Sequence, residues 1–241
     1  MVGAFETSGS RTPLPPLATT PLGRNVIPGS ELVRVVAVPP PRELLTALYG
    51  PDAGAALTAL AATDSVLRRE LGGVHLVQPS DWVHGPGAGW ILAPFVRTPS
   101  PDTATRFSDG SYGVWYGADT LVTSQAEVGH HLGAYLARTG AMPDVLPRTV
   151  LRATPDVLHP LIDLRPPASV PPGVLAPDSY RASQAFGSVC RSAQQWGIVW
   201  PSVRHPAGTC VGVLRPPVLA GCEVAGQCRA QWDGRALTWG P

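Results

Sequence analysis

RFSDGSYGVWYGADTLVTSQAEVGHHLGAYLARTG, residues 106–140, is the stretch that decides how the chain folds. Within it, Gly113-Val114-Trp115-Tyr116-Gly117-Ala118 sets branched and aromatic residues between glycines, which predicts a short strand. Asp119 or Thr120 then offers an N-cap and Gly140 a left-handed stop, so a helix is expected to run to about Arg138. Leu121, Val128, Leu132 and Tyr135 recur at helical spacing and are assigned to its apolar face.

Upstream, Leu32 to Val38 is compact and β-branched and reads as a first strand with Arg34 at its centre. An arginine inside an apolar strand either sits at an edge, enters a buried ion pair or faces a ligand. Arg42 to Glu70 carries leucines three and four apart and closes on Gly72-Gly73, the pattern of scaffold helix. The Gly-, Pro-, Ser- and Trp-rich segment from Leu76 to Arg106, including Gly89 to Phe95, predicts loops with short strands. Residues 1–28 hold TPLPP and TTPLG without apolar periodicity, an N-terminal extension to a domain spanning 29–241.

Downstream, strands are expected at Thr149 to Ala153 and Val157 to Leu164, followed by a proline-rich loop from Pro166 to Pro177. A second helix starts near Asp178, with Tyr180, Ala185, Val189 and Cys190 inward and Gly197 as its stop. Gly197 to Trp200, Cys210 to Leu214 and a hairpin turning at Asp233-Gly234 are β in character. Strands grouped with two substantial helices predict one sheet-rich α+β domain rather than an alternating parallel sheet.

Composition narrows the partners. All 18 basic residues are arginine, but 17 acids bring the net charge to +1, which argues against a role on nucleic acid or a membrane surface. No secretory signal is visible in MVGAFETSGS, and no apolar run reaches the roughly 18 residues of a membrane helix. The four cysteines are expected to stay reduced, and their spacings match no zinc motif. Glu127 and His130 have the E-x-x-H spacing of a bundle metal site, but a second such motif is absent and no metal is assigned. There is no G-x-G-x-x-G or P-loop signature, and Ser202 lies in no nucleophile elbow.

Polar and aromatic groups are densest in Arg106 to Tyr116 and Gln125 to His131, and here the chain resembles the RES domain family. The resemblance rests on Arg106 in an R-F turn, Tyr116 on the next strand and Glu127 on the helix after it. It continues through Asp178-Ser179-Tyr180-Arg181-Ala182-Ser183-Gln184 and through Gly197-Ile198-Val199-Trp200-Pro201-Ser202-Val203-Arg204. With Arg34 on the first strand it runs from about Leu32 to Pro217. Gly129 departs from it, standing where the pattern predicts an aromatic.

The resemblance implies a fold like that of ADP-ribosylating toxins, with mixed or antiparallel sheets and flanking helices. It also implies a toxin of the bacterial cytoplasm that consumes NAD⁺ as substrate, without a further cofactor, and is restrained by a cognate Xre-like antitoxin. Such a toxin breaks the nicotinamide–ribose bond with water or inorganic phosphate as acceptor, whereas a protein acceptor would make it an ADP-ribosyltransferase.

The residue types suit that chemistry. An oxocarbenium-like transition state needs a carboxylate near the ribose, the role assigned to Glu127, whose plainer reading is an exposed helix residue paired with His131. Arg106 and Arg34 are assigned to the pyrophosphate, where a rigid bidentate donor is best; surface salt bridges are their alternative. Tyr116, with Tyr112 beside it, offers an aromatic face to the cationic nicotinamide. Ser202 is expected to orient Glu127 or the ribose. A non-catalytic interaction module is the reading of a different class, and the joint presence of every matched polar position weighs against it.

Overall fold

The computed structural model describes residues 19–21, 31–37, 76–96 and 104–241; the helix expected at 42–70 and most of the N-terminal extension lie outside them. Among the described residues nine strands form one sheet. In chain order they are β1 (Thr19–Pro21), β2 (Leu32–Ala37), β3 (Trp115–Ala118), β4 (Asp144–Pro155), β5 (Pro160–Asp163), β6 (Gly197–Pro201), β7 (Thr209–Val213), β8 (Leu219–Trp232) and β9 (Leu237–Gly240). The spatial order is β1-β5-β6-β7-β3-β2-β4-β8-β9, and every pairing is antiparallel except β5 with β6. Among the described residues three α-helices flank it: α1 (Ala88–Val96), α2 (Leu121–Thr139) and α3 (Arg181–Ser192). This is the α+β architecture the sequence predicts.

Alternation along the central strands decides which helix covers which face. Leu161, Val199, Val211 and Val213 join Ile91, Leu92 and Phe95 of α1 in one core. Ile162, Ile198, Trp200 and Cys210, their neighbours in sequence, point the other way and meet Phe186 and Cys190 of α3. Trp115, Phe107 and Phe186 are completely enclosed, and each such burial is worth about 3 kcal/mol.

The sheet opens at its middle. β2 and β3 share a single pair, Val33 with Ala118, and then diverge. Beyond that pair the backbone N–H of Val35 donates not to a strand but to Ser124 Oγ on α2, at 3.1 Å. The divergence thus leaves a gap between two halves of the sheet, and α2 lies across it.

Three features differ from the sequence expectation. Gly89 to Phe95 is the helix α1, with Pro94 in its last turn, because a short apolar run buried on all sides satisfies helix and strand alike. α2 begins and ends where its caps predict, with Thr120 Oγ1 accepting from Thr123 N–H and Gly140 left-handed, but of its predicted apolar face only Val128 and Leu132 are turned inward. Thr123, Ser124 and Leu136 are buried and Val128 packs on the core of Val35, Val150 and Cys228, whereas Leu121 and Tyr135 are 37% and 54% exposed. On α3 the buried set is Ser183, Phe186, Gly187 and Cys190, so Ala185 and Val189 face outward. Its C-terminal turn is closed by Gln194 at φ 55°, and Gly197 opens β6 instead of stopping the helix.

Gly187 shows how tightly α3 is seated. A Cβ there would stand 2.1 Å from the Phe107 carbonyl oxygen, a backbone atom that cannot swing aside. Gly187→Ala is expected to destabilise the protein by about 1–3 kcal/mol, read as a lower denaturation midpoint. An unchanged midpoint would contradict this packing.

Candidate active site

The gap between β2 and β3 is a cavity of about 410 Å³. Arg34 and Val35 of β2, Tyr116 and Gly117 of β3, and Ser124, Glu127 and His131 of α2 contribute to its wall. Thr105, Arg106, Tyr180, Trp200 and Cys210 contribute the rest. The fold therefore gathers Arg34, Arg106, Tyr116 and Glu127 around one space.

Glu127 is half-buried, one helical turn after Ser124. Its Oε1 accepts from Ser202 Oγ at 2.6 Å and from the Cys210 thiol at 3.6 Å. Among the described residues Oε2 accepts nothing. Ser202 is itself held, since its Oγ also accepts from the backbone N–H groups of Arg204 and His205 at 3.2 and 2.9 Å. With those two donors in place, the hydroxyl proton is directed at the carboxylate. Burial, with the Glu127 charge beside it, pushes the Cys210 thiol up, so it remains a neutral donor. Ser202→Ala removes a hydrogen bond to a charged group, worth about 1.5–3 kcal/mol, and is expected to lower the denaturation midpoint; an unchanged midpoint would contradict this contact.

Arg106 is 5% exposed and stands on a tight turn in which Thr105 and Ser108 form a bridge. Its Nη1 donates to the carbonyls of Val174 and Ala176 at 3.4 and 3.0 Å, and its guanidinium lies 4.6 Å from the Tyr180 ring centroid. Nη2 is buried and makes no hydrogen bond among the described residues. A fixed, desolvated guanidinium with a donor left over is a ready site for an anionic oxygen. Gln184 of α3 clamps the same turn through the Thr105 and Ser108 carbonyls, at 3.1 and 3.4 Å.

Tyr116 fixes the turn from below. Its hydroxyl accepts from the Phe107 N–H at 3.0 Å and bonds Thr105 Oγ1 at 2.8 Å, and its ring meets Trp200 edge-on. Burial pushes its phenol up to about 12, so it keeps its proton.

The remaining predicted residues are placed differently. Arg34 lines the cavity from β2, yet its guanidinium rests 5.2 Å from the Trp115 ring centroid, on the α1 side of the sheet. Tyr112 is not part of the cavity wall; its hydroxyl donates to the Phe107 carbonyl and its ring packs in the core under α3. Ser202 stands behind Glu127 rather than on the wall. His131 does not pair with Glu127: its Nε2 bonds the Tyr180 hydroxyl at 3.1 Å. Burial, with His130 and nearby arginines, lowers its pKa and favours the neutral ring. Among the described residues no group of His, Cys, Asp and Glu is arranged to hold a metal ion.

Tyr180 is among the wall residues that sequence reasoning does not select, with Thr105, Ser124 and Cys210. It was read as an inward aromatic of the second helix, whereas it is the residue preceding α3, stacked on Arg106 and tied to His131. The usable signal was its place in the block from Asp178 to Gln184.

The family model for the RES domain matches residues 81–233, well over half the chain. That span contains Arg106, Tyr116, Glu127, Tyr180 and Ser202, begins after Arg34 and stops before β9. A solved structure of the M. tuberculosis MbcT-MbcA toxin-antitoxin complex is similar over 55% of this chain and 73% of the matched chain, at 16% identity and a TM-score of 0.38. No curated protein matches.

Proposed function

We propose that this chain, which belongs to the RES domain family, binds NAD⁺ in the cavity between β2 and β3 and cleaves its nicotinamide–ribose bond. The observation that carries the reading is the pairing of opposite chemistries on one wall. A buried guanidinium with a donor uncommitted among the described residues lines the same cavity as a carboxylate whose Oε1 accepts two hydrogen bonds and whose Oε2 accepts none from those residues.

In this reading Arg106 is the principal phosphate ligand, and Arg34, whose cation already rests on Trp115, is the secondary one. Nicotinamide lies against Tyr116, with Trp200 behind it. Glu127 Oε2 accepts a hydrogen bond from the ribose 2′-hydroxyl, and that bond strengthens as positive charge builds on the ring. The glycosidic electron pair leaves with nicotinamide and neutralises it. An incoming water or phosphate oxygen then bonds the anomeric carbon, and water releases its extra proton to solvent.

The acceptor distinguishes hydrolysis or phosphorolysis from transfer to a protein, and the donor half of the site is common to all three. As a family of this kind implies, the chain acts as a cytoplasmic toxin neutralised by a partner antitoxin. Among the described residues no helix is long and apolar enough to cross a membrane. Expression without a partner should arrest a bacterial host and lower its NAD⁺, and Glu127→Gln should abolish both effects. Arrest by the Glu127→Gln variant at equal protein level would overturn the reading.

A further inference from the structure

The helix that carries Glu127 is gripped on its far side by the end of the chain. Gly129 and Gly133, one helical turn apart on α2, leave a smooth shelf, and β9 lays two side chains on it. A Cβ at Gly129 would stand 3.0 Å from Trp239 Nε1 and 3.5 Å from Leu237 Cδ2; one at Gly133 would stand 3.7 Å from Leu237 Cβ. Val128 and Trp239 both pack on the small core of Val35, Val150 and Cys228. Val35 belongs to β2, and its N–H also donates to Ser124 Oγ on α2.

β9 is held in turn by an antiparallel register with β8, from Trp232 with Leu237 to Arg229 with Gly240. The hairpin turn is fixed by Asp233 Oδ1, which accepts from the N–H groups of Arg235 and Ala236 at 2.8 and 2.7 Å. β9 lies beyond the stretch that the RES domain model matches.

From this arrangement we infer that Trp239 is a positioning residue: seated on Gly129, it fixes where α2 presents Glu127 to the cavity. The inference rests on the reading of Glu127 as the catalytic carboxylate. Arg106 is held independently, by α3 and by the carbonyls of Val174 and Ala176. Loss of the Trp239 ring therefore displaces the carboxylate without disturbing the anion site. Turnover falls while affinity for NAD⁺ stays, since a shift near 1 Å at a reacting group costs up to about 100-fold.

The test is a double-mutant cycle with Trp239→Ala and Gly129→Phe. Each single variant should lower kcat for nicotinamide release by about 10- to 100-fold, with KM changed by less than about threefold. Gly129→Phe fails because the new ring collides with Trp239, and Trp239→Ala fails because the shelf is empty. The double variant, with its ring on the helix and the space opposite vacated, should recover most of the loss. Amide exchange over residues 121–139 is followed in parallel: it should rise in Trp239→Ala and return in the double variant. If wild type releases no nicotinamide, the catalytic reading fails, and exchange alone still decides whether Trp239 steadies α2. Trp239→Ala with full kcat, or a double variant no better than its worse parent by either readout, would overturn the inference.

Discussion

Glu127→Gln is expected to release nicotinamide from NAD⁺ about 10³-fold more slowly than the wild-type chain, the magnitude seen when one preorganised electrostatic partner of a transition state is removed. Glutamine keeps the length of the side chain, and its amide oxygen can still accept from Ser202 and Cys210, so the fold and the cavity should survive. What disappears is the negative charge that opposes the developing cation. Because that charge matters most in the transition state, kcat should carry nearly all of the loss and KM little. A loss confined to KM would mean that Glu127 only helps to bind the dinucleotide.

Arg106→Lys should lose about 10- to 100-fold in kcat/KM, dominated by KM. The guanidinium meets three requirements at once: two donations to the Val174 and Ala176 carbonyls, stacking on Tyr180, and a donor left for the ligand. Lysine retains the charge but cannot stack as a plane or reach in two directions, and it is more costly to desolvate. Arg34→Ala should cost less than Arg106→Lys, since its guanidinium lies over Trp115 on the α1 side. The comparison is made by steady-state kinetics on the two variants, and an equal or larger loss at Arg34 would reverse the assignment of the principal phosphate ligand.

Much of this was legible in the chain itself, and the parts that were not have physical causes. The limits of α2 follow from Thr120 and Gly140 because caps are local chemistry. Its exact orientation does not, because the first turn buries Thr123 and Ser124, Leu121 and Tyr135 stay outside, and Val128 and Leu136 keep the inward side. α1 was hidden by its own apolarity, since a fully buried run carries no periodic signal. Arg106 and Glu127 stand 21 residues apart and could be linked only through a resemblance, as no spacing rule joins a turn to a helix across an intervening strand. Tyr180 was misread because an aromatic at a helix start looks the same whether it packs or lines a cavity. The bond from Ser202 to Glu127 spans 75 residues and depends on the turn after β6 meeting α2, a tertiary fact.

The most direct measurement is the nicotinamide released when purified protein is mixed with NAD⁺, in buffer with and without inorganic phosphate, beside Glu127→Gln and Arg106→Lys. The expected result is release by the wild-type chain that falls sharply in both variants, with the sugar product showing whether water or phosphate was the acceptor. Release that is undiminished in Glu127→Gln, or no release by the wild-type chain in either buffer, would contradict the claim that this cavity cleaves NAD⁺.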